Sequence, residues 1–396
     1  MRIICIHPRC VTNEGAGGTG SYDVSKYLVE MGHEVTMICG INNRSGLKPM
    51  RWYQPFRRER IDGIDVIVCN ANYANRMGAM RRLAVFFGFA FMACLASLWA
   101  GPADLVFATS TPLTVGIPGY IVSRLKRAAF VFEVRDLWPE DLVLAGYVQP
   151  GLMVSLAERL ERFIYRTSQK VLLVSPGFEK RLLQRGFPPS KLRTHLLGAD
   201  GSLFVDLKAD EEFLDRAGRG GKVVAAYTGA HGVANGLDYI LDAAKCLEKR
   251  DDIAIILIGE GMEKPRLIER AEQMGLTNVQ FIDPVLKTVL PGVLAGCEIG
   301  LMILSDIGER PVTPNKIFDY RFVGLPSIVN FPGPTLDMGL RDGTGIEVDA
   351  KDPGDLARAI EDLADQPERR REMGQRARQM AFEKYTRQAI AGQLSR

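Results

Sequence analysis

The chain has 396 residues, and its sequence predicts an α/β protein of two doubly wound parallel-sheet (Rossmann-like) domains. The first observation behind this prediction is that short apolar runs alternate with helical segments in both halves, as in parallel sheets with helices on both faces. The second is that this alternation pauses at residues 198–221, which are polar, glycine-bearing and charged, and then restarts. The third is that apolar residues make up 46% of the chain, enough for two large cores.

The predicted elements follow one another in a regular order. Strand-like runs of the first half are residues 3–6, 35–39, 66–69, 105–108, 130–132, 171–174 and 194–197. Helical segments between them lie near residues 22–31, 81–100, 113–125, 152–166 and 178–185. Strand-like runs of the second half are residues 223–227, 253–258, 279–282, 299–303 and 327–329. We place the boundary near residues 198–204, which gives an N-terminal domain of residues 1–200 and a C-terminal domain of residues 201–379.

Charge and cysteine usage restrict the class of protein. The formal net charge is +3, too small to favour a nucleic-acid-binding protein. The seven cysteines are scattered and form no CxxC pair, so we expect reduced thiols in a cytoplasmic protein without a signal peptide. The chain has no DxD pair and no cluster of histidine and cysteine ligands, so we expect neither a metal nor a cofactor.

The loop after the first strand is rich in glycine. Residues 14–21 read EGAGGTGS and match the dinucleotide pattern GxGxxG. However, the loop does not turn tightly off its strand, and no carboxylate for a ribose follows the second strand. This disfavours a nicotinamide or flavin site. Gly17 and Gly18 still allow the backbone to approach a ligand closely, and a flexible loop without a ligand is the alternative.

An arginine-aromatic segment precedes a long apolar one. Residues 51–60 read RWYQPFRRER, and the 18 uncharged residues 83–100 follow Arg81 and Arg82. The apolar run reaches the lower length limit for a membrane span, so it is a span, a core helix or an interfacial helix. Arginine beside aromatic residues suits an anionic membrane surface. We therefore expect Arg57, Arg58, Arg81 and Arg82 to contact one, with a solvated basic loop as the alternative.

The strand near residues 130–132 ends in the polar segment EVRDLWPE, residues 133–140. Ligands of open parallel sheets gather at the carboxyl ends of strands. Arg135 cannot act as a base because its pKa is above about 12, but it can hold a phosphate or sugar oxygen. Asp136 can orient or deprotonate a substrate hydroxyl. The alternative is a structural ion pair of Arg135 with Glu133, Asp136 or Glu140.

Three turns in the second half follow strands. Residues 228–238 read TGAHGVANGLD and include His231 and Asn235, whose loop forms a concavity suited to anions. We expect His231 to act as a neutral donor because a helix start disfavours a cation; a solvent-facing imidazole is the alternative. Residues 258–264 contain the glycine-acidic-glycine turn of Gly259 and Glu260. Pro284 and Val285 follow the next strand.

A fourth segment, residues 308–330, reads GERPVTPNKIFDYRFVGLPSIVN. Its short helix begins near Thr313, Asn315 and Lys316, where unpaired N–H groups and partial positive charge suit an anion. Asp319, one turn further, can accept hydrogen bonds from sugar hydroxyls. The alternative is an ordinary helix capped by Thr313, with Lys316 and Asp319 as an i, i+3 pair.

The sequences PNKIFDYRFVGLPSIV and TGAHGVANGLD carry a resemblance that spans nearly the whole chain. They resemble the donor-sugar signature of retaining, two-domain glycosyltransferases of the family 4 type. The most similar subgroup transfers amino-deoxysugars in O-antigen and capsule synthesis. This resemblance implies the GT-B arrangement, in which the two domains face each other across a cleft. It also implies that the C-terminal helix, about residues 380–396, packs back on the first domain.

The resemblance assigns roles to the residues above. Lys316 and the turn of His231 and Asn235 would bind the diphosphate, with the loop of Gly17 and Gly18 nearby. The remaining nucleotide contacts would come from Gly259 and Glu260, from Pro284 and Val285 beside the base, and from Asp319 at the ribose. Arg135 and Asp136 would take part in the reaction together with Lys316.

Two departures from the family pattern are visible. The family carries two glutamates eight positions apart; Asp319 matches the second, whereas Pro311 occupies the place of the first and Glu309 lies nearby. The arginine and lysine that clamp the diphosphate in many relatives are also replaced, and His231 is one of the residues in their place.

The resulting expectation is transfer of a hexosyl or N-acetylaminosugar group from a UDP-sugar to a lipid-linked glycan. By resemblance the reaction retains the anomeric configuration and proceeds by front-face displacement. The enzyme is expected to be peripheral on the inner face of the cell membrane, with no nucleic-acid partner. The alternatives are a nucleotide-sugar epimerase of the same fold and a non-catalytic lipid-binding subunit.

Overall fold

The strands assemble into two separate sheets in the computed structural model, which describes residues 1–16, 19–42, 45–72, 77–144, 148–216, 218–305 and 311–394. Contacts divide the chain into a first unit, Met1–Leu196, and a second unit, Leu197–Arg396. The division lies close to the expected boundary, and the placement of the C-terminal helix on the first domain stays a prediction. The predicted fold class, two parallel-sheet α/β units, is confirmed.

The first unit is built on an eight-stranded sheet of order β3-β4-β2-β1-β5-β6-β7-β8. Its strands are β1 (Arg2–His7), β2 (Glu34–Gly40), β3 (Phe56–Ile61), β4 (Ile64–Cys69), β5 (Leu105–Thr109), β6 (Ala129–Val134), β7 (Lys170–Leu173) and β8 (Leu192–Thr194). Its helices are α1 (Gly20–Glu30), α2 (Ala79–Ala96), α3 (Gly116–Lys126), α4 (Glu140–Leu144), α5 (Leu152–Thr167) and α6 (Pro176–Gln184).

Strand β3 was not among the predicted strands. Its sequence FRRERI is charged, and the segment was interpreted as a basic surface patch. It pairs antiparallel with β4 at the edge of an otherwise parallel sheet. Charged side chains suit an edge strand because they oppose pairing with other chains. The core strands by contrast are apolar, since they are covered on both faces.

The second unit is built on a six-stranded parallel sheet of order β11-β10-β9-β12-β13-β14. Its strands are β9 (Val223–Thr228), β10 (Ile253–Ile258), β11 (Val279–Ile282), β12 (Ile299–Met302), β13 (Ser327–Val329) and β14 (Gly345–Glu347). Its helices are α7 (Glu211–Arg216), α8 (Asp238–Cys246), α9 (Lys264–Gln273), α10 (Leu290–Ala295), α11 (Lys316–Val323), α12 (Pro334–Asp342), α13 (Pro353–Asp365), α14 (Pro367–Lys384) and α15 (Arg387–Leu394).

Helix α11 packs against the long helix α14. Gly324 ends α11 with φ +92°, a backbone conformation that glycine adopts readily. A Cβ at Gly374 of α14 would lie 2.1 Å from the carbonyl oxygen of Gly324, so both glycines permit this close crossing. Arg378 of α14 also donates a hydrogen bond to the carbonyl of Phe322. The position of α11 in the second unit is thereby fixed.

Candidate functional site

The candidate site of the second unit lies at one edge of its sheet. Strands β9, β10 and β11 are parallel neighbours and end at Thr228, Ile258 and Ile282. Because the carboxyl ends of parallel strands share an edge, the loops that follow them converge. These are the turns predicted from the sequence.

Two of these turns pack backbone against backbone. A Cβ at Gly259, whose φ is +153°, would lie 1.8 Å from the carbonyl oxygen of Gly229. A Cβ at Gly261 would lie 2.1 Å from the carbonyl oxygen of His231. The amide of His231 donates to the carbonyl oxygen of Glu260 at 3.0 Å. The glycines around Glu260 are therefore required by the close approach of the two turns.

His231 is fully buried between these turns. Neither of its ring nitrogens has a hydrogen-bond partner within the described ranges. Burial, reinforced by the positive charges of Lys264 and Lys316, lowers the pKa of His231 to about 4. The expected neutral imidazole is thus present, but its cause is burial. The helix dipole is not the reason, since α8 begins only at Asp238, and the solvent-facing alternative is wrong.

Lys316 begins α11 and extends toward the same turns. Its Nζ atom lies 3.5 Å from the ring centroid of Tyr227, and a Cβ at Gly229 would be 3.1 Å from it. This Nζ atom is buried and has no hydrogen-bond partner among the described residues. Burial lowers the pKa of Lys316 well below its ordinary value. The site therefore holds two buried nitrogen groups, on His231 and Lys316, that its own side chains do not satisfy.

Asp319 does not form the alternative i, i+3 pair with Lys316. Its Oδ1 instead accepts a hydrogen bond from Nζ of Lys287 at 2.6 Å. Lys287 lies in the loop after β11 and was missed in the sequence. Its position just beyond a strand end is the only local signal that could have drawn attention to it, because its partner is 32 residues away.

The other predicted residues of this site lie on the same loops. Asn235 is half-buried at the end of a 3₁₀ turn, and Pro284 and Val285 are half-buried beyond β11. Thr313 is buried, whereas Asn315 is exposed and precedes α11 without a side-chain capping bond. These five residues keep their nucleotide-binding roles as predictions.

Three residues named in the sequence analysis, Gly17, Gly18 and Glu309, lie outside the described residues. Arg321, a second basic residue of α11, is 1% exposed and donates to Oδ2 of Asp342 at 2.8 Å. Arg321 therefore serves the interior of the second unit and not the start of α11.

The candidate site of the first unit lies at the carboxyl end of β6. Arg135 donates through Nε to Oε2 of Glu133 at 2.7 Å and through Nη2 to Oγ of Ser21 at 3.0 Å. The structural ion pair considered for Arg135 is therefore formed, and it reaches the start of α1. Asp136 accepts a hydrogen bond from the hydroxyl of Thr111. The catalytic roles of Arg135 and Asp136 stay predictions.

Two histidines near Arg135 were missed because they are distant in sequence. Nε2 of His195 lies 3.2 Å from Oε1 of Glu133, which is fully buried. Burial by itself raises the pKa of Glu133, but Arg135 and His195 outweigh it and hold the pKa below the ordinary value. Burial, together with Arg135, holds the pKa of His7 well below its ordinary value. Arg135 thus has its partners, whereas Nδ1 of His7, Nε2 of His195 and Oε1 of Glu133 are buried without a well-formed hydrogen bond among the described residues.

The four arginines predicted for a membrane surface differ in their contacts. Arg57 donates to the carbonyl of Lys48 at 2.8 Å, and Arg58 forms a two-pronged pair with Asp65 at 2.8 and 2.5 Å. Arg82 is half-buried and donates to the carbonyl of Met77 at 3.2 Å. Arg81 is exposed. The membrane role of all four stays a prediction, and Arg81 is the best placed for it.

The apolar run predicted near residues 83–100 forms helix α2, which has two different sides. Phe86, Phe89 and Ala93 are buried against the unit. On the opposite side, exposed apolar side chains recur at helical spacing, namely Met80, Phe87, Phe91, Leu95 and Leu98. Of the helices in the described ranges, none has the length and hydropathy to cross a bilayer. The core interpretation thus applies to one side of α2, the spanning interpretation is wrong, and the interfacial interpretation of the exposed side stays a prediction.

Metal-ligating side chains are dispersed in the described part of the chain. It contains no group of three or more His, Cys, Asp or Glu side chains placed to share an ion. All seven cysteines are free, and five of them are buried. Independence from a metal stays a prediction.

Comparison with known proteins adds to this geometry. Residues 15–198 match the glycosyl transferase 4-like domain, and residues 222–366 match the glycosyl transferases group 1. The chain is 23% identical over 327 residues to WcaI of Escherichia coli (strain K12), covering 79% of each protein; WcaI is named as a glycosyl transferase of colanic acid biosynthesis. It is 25% identical over 252 residues to alpha-D-kanosaminyltransferase of Streptomyces kanamyceticus, covering 61% of this chain and 62% of that protein.

Solved structures show the same fold. Sucrose-phosphate synthase of Thermosynechococcus elongatus superposes with a TM-score of 0.78 at 17% identity, covering 100% of this chain and 97% of that one. HepE of Anabaena in complex with UDP-glucose superposes with a TM-score of 0.71 at 16% identity, covering 100% and 99%. The two family matches cover most of both units, and these neighbours share the fold. The chain therefore belongs to the glycosyltransferases of the family 4 type, with the GT-B fold.

Proposed function

We propose that this glycosyltransferase moves a hexosyl or N-acetylaminosugar group from a UDP-sugar to a lipid-linked glycan, with retention at the anomeric carbon. One observation carries the donor part of the proposal. The buried nitrogen groups of Lys316 and His231 lie against the same pair of turns, those of Gly229 and Gly259, and have no hydrogen-bond partners among the described residues. Such groups are costly to leave unsatisfied, and a diphosphate would satisfy both.

The same groups would assist the departure of the nucleoside diphosphate. When the bond from the anomeric carbon to the β-phosphate oxygen breaks, its electron pair stays on that oxygen. Lys316, with the N–H groups at the start of α11, would stabilise the charge that develops there. An approaching anion also favours the protonated lysine, which opposes the effect of burial on the pKa of Lys316. Donor binding and charging of Lys316 would thus occur together.

The acceptor hydroxyl would attack the anomeric carbon from the side of the leaving group, which gives retention. Its proton would pass to the leaving phosphate oxygen or to Asp136. Asp136 is half-buried and held by Thr111, so its carboxylate has a defined orientation. Arg135 would hold a sugar or phosphate oxygen with the guanidinium nitrogen that Glu133 and Ser21 do not engage.

UDP as the nucleotide is supported by likeness to HepE, whose structures contain UDP and UDP-glucose. A role in cell-surface polysaccharide synthesis is supported by likeness to WcaI, whose name refers to colanic acid. These proteins have their own substrates, and the assignment to this chain rests on the donor site argued above.

A lipid-linked acceptor is supported by the surface of the first unit. Helix α3 packs against both α2 and α5, so their outer sides adjoin. Besides the exposed side chains of α2, this surface carries the exposed apolar residues Ile121, Leu125, Leu152, Met153, Leu156 and Phe163. Exposed arginines accompany them at positions 81, 124, 159, 162 and 166. Apolar side chains with arginines suit an anionic bilayer surface, here the inner face of the cell membrane.

The test is a thermal-shift series with UDP, GDP, ADP and dTDP sugars, followed by transfer to a lipid-linked acceptor. We expect UDP sugars to raise the melting temperature by mass action and a glycolipid product to form. Conversion of the donor to an epimer without acceptor would support the epimerase instead. Vesicle binding without consumption of any nucleotide sugar would support a non-catalytic lipid-binding subunit.

A further inference from the structure

The first unit has a cavity of about 390 Å³ between the last turns of α5 and the turn that follows α6. This volume lies within the usual range for small-molecule pockets, about 300–1,000 Å³. The side chains of α5 and the residues of the turn line it together, namely Arg162, Arg166, Arg185, Gly186, Phe187 and Pro188. The cavity takes no part in the donor site, and its two arginines from α5 lie on the surface proposed for the membrane.

The two arginines from α5 carry charges that the fold does not use. Arg162 and Arg166 are four residues apart and exposed, and neither guanidinium has an ion pair or hydrogen bond in the described part of the chain. Like charges at this spacing destabilise a helix. The helix dipole favours a cation in the last turn, which accounts for Arg166 at most, and Lys191 already donates to the carbonyl oxygens of Arg166 and Ser168. A ligand is a better explanation for this pair of charges.

The wall formed by the turn is held in place. Nη1 of Arg185 donates to Oε1 of Glu161 at 3.1 Å, and Nη2 donates to the other oxygen of the same buried carboxylate. The guanidinium of Arg185 lies 5.7 Å from the ring centroid of Phe187, and the ring of Phe187 lies 5.5 Å from that of Tyr165. Because Arg185 engages Glu161, this carboxylate does not offset Arg162 and Arg166. The cavity thus combines an excess of positive charge with a fixed apolar wall.

This combination fits a phosphate ester. The planar fork of an arginine donates to two phosphate oxygens at once. A terminal phosphate or a diphosphate has enough oxygens for more than one arginine, whereas a carboxylate has only two. The apolar wall of Phe187 and Pro188 can contact the organic part of the ester.

We propose that this cavity binds a terminal phosphate or diphosphate group, at a site separate from the donor site. The favoured bearer of the phosphate is a lipid, because the outer side of α5 also carries the exposed side chains of Leu156 and Phe163. The choice of a lipid rests on the membrane surface of the proposed function, whereas the phosphate site itself does not. A soluble phosphate ester is the other source of the same chemistry, and the experiment separates the two.

The lipid is tested by co-sedimentation of the intact chain with phosphatidylcholine vesicles. One set contains phosphatidic acid, which has a terminal phosphate, and the other contains the same fraction of phosphatidylglycerol, a phosphodiester. The wild type should bind the phosphatidic acid vesicles about tenfold more tightly, the effect of roughly one hydrogen bond to a charged group. Arg162→Gln and Arg166→Gln should each reduce this preference to about twofold or less.

The matched control is Arg159→Gln. Arg159 is another exposed arginine of α5, and it does not line the cavity. Its loss should weaken binding to both kinds of vesicle equally, because only the general surface charge changes, and it should keep the preference for phosphatidic acid.

The soluble source is tested by calorimetry with inorganic pyrophosphate. The measurement uses Lys316→Met as the background, so that the donor site does not contribute. We expect this variant to bind pyrophosphate, and we expect the binding to be lost when Arg162→Gln is added.

The outcomes separate the parts of the proposal. No preference for phosphatidic acid, together with no pyrophosphate binding by Lys316→Met, would overturn the phosphate site. A preference that Arg159→Gln reduces as much as Arg162→Gln does would overturn the role of the cavity in favour of general surface charge. Pyrophosphate binding without a preference between the vesicles would overturn the lipid and assign the site to a soluble ester. These measurements use no nucleotide sugar, so failure of the proposed transfer reaction would not affect them.

Discussion

The two units differ in the groups that their own side chains leave without partners. In the second unit, the buried nitrogens of His231 and Lys316 have no partners among the described residues. In the first unit, Arg135 is engaged by Glu133 and Ser21. The first unit instead leaves apolar side chains exposed on α2, α3 and α5. Buried polar atoms without partners also occur among the described residues of the first unit, for example Nδ1 of His7. The contrast therefore lies between the exposed apolar surface of the first unit and the unpartnered amine of Lys316 in the second.

This difference indicates which kind of ligand each unit lacks. Unsatisfied buried donors call for an anion, whereas contiguous exposed apolar side chains with arginines call for an apolar, anionic surface. Two substitutions should therefore have different consequences. In the first unit, replacing Glu133 should mainly reduce stability, and in the second unit, replacing Lys316 should mainly reduce activity.

The largest stability effect is expected for Glu133→Ala. It leaves Arg135 without its buried carboxylate, and breaking a buried pair costs about 3–5 kcal/mol. Chemical denaturation measures the free energy of unfolding. The matched control is Asp104→Ala, whose carboxylate pairs with Arg2 at the surface and whose loss should cost far less. Similar losses in both variants would contradict the buried role of Glu133.

Lys316→Met should lower turnover by about 100- to 1,000-fold, as for loss of one group that stabilises developing charge. Its free energy of unfolding should be unchanged or slightly higher, because an unsatisfied buried amine is replaced by an apolar chain. Steady-state kinetics with a UDP-sugar and denaturation measure the two effects. The control is Lys245→Met on the outside of α8. Unchanged turnover of Lys316→Met would contradict the proposed role of Lys316 in stabilising the charge of the leaving group.

His231 should make the second unit sensitive to acid. Its pKa is about 4 in the folded chain and 6.5 as the ordinary value. Between these values the unfolded chain carries the proton and the folded chain does not, so stability is complete above pH 6.5 and falls toward pH 4. The loss from this group is about 3 kcal/mol.

His231→Gln should remove that contribution, so its free energy of unfolding should fall less steeply between pH 6.5 and 4 than that of the wild type. Denaturation series at fixed pH values measure the two slopes. The difference between the proteins isolates His231 from His7, which also has a lowered pKa. Parallel profiles would show that the imidazole of His231 is not held neutral by burial.

The smallest effect is expected at the membrane surface. Arg81→Gln removes one exposed cation and should weaken binding to anionic vesicles by about 1 kcal/mol, or roughly fivefold. Co-sedimentation with vesicles measures it. Arg371→Gln, an exposed arginine of α14 in the second unit, is the control and should bind like the wild type. Equal losses of vesicle binding in both variants would contradict a specific role of the Arg81 surface in membrane binding.

Much of the fold was predictable because buried apolar residues recur along one strand or helix with the period of that element. The all-buried run of β10 and the helical spacing of α2 need no knowledge of distant residues. Strand β3 escaped prediction because its charges, which suit an edge, also suit a loop. The turns around His231 and Gly259 were predictable from glycine and strand ends, although the reason for the glycines is the packing of one turn on the other.

The sequence by itself determined the two α/β units, the order of the turns and the helix that carries Lys316 and Asp319. Only the tertiary structure decided which charges meet: Lys287 with Asp319, Arg135 with Glu133, and Lys316 with the ring of Tyr227. The physical reason is that apolar burial depends on spacing along one element, whereas an ion pair or an unsatisfied donor depends on where separate strands end and on the water that their packing removes.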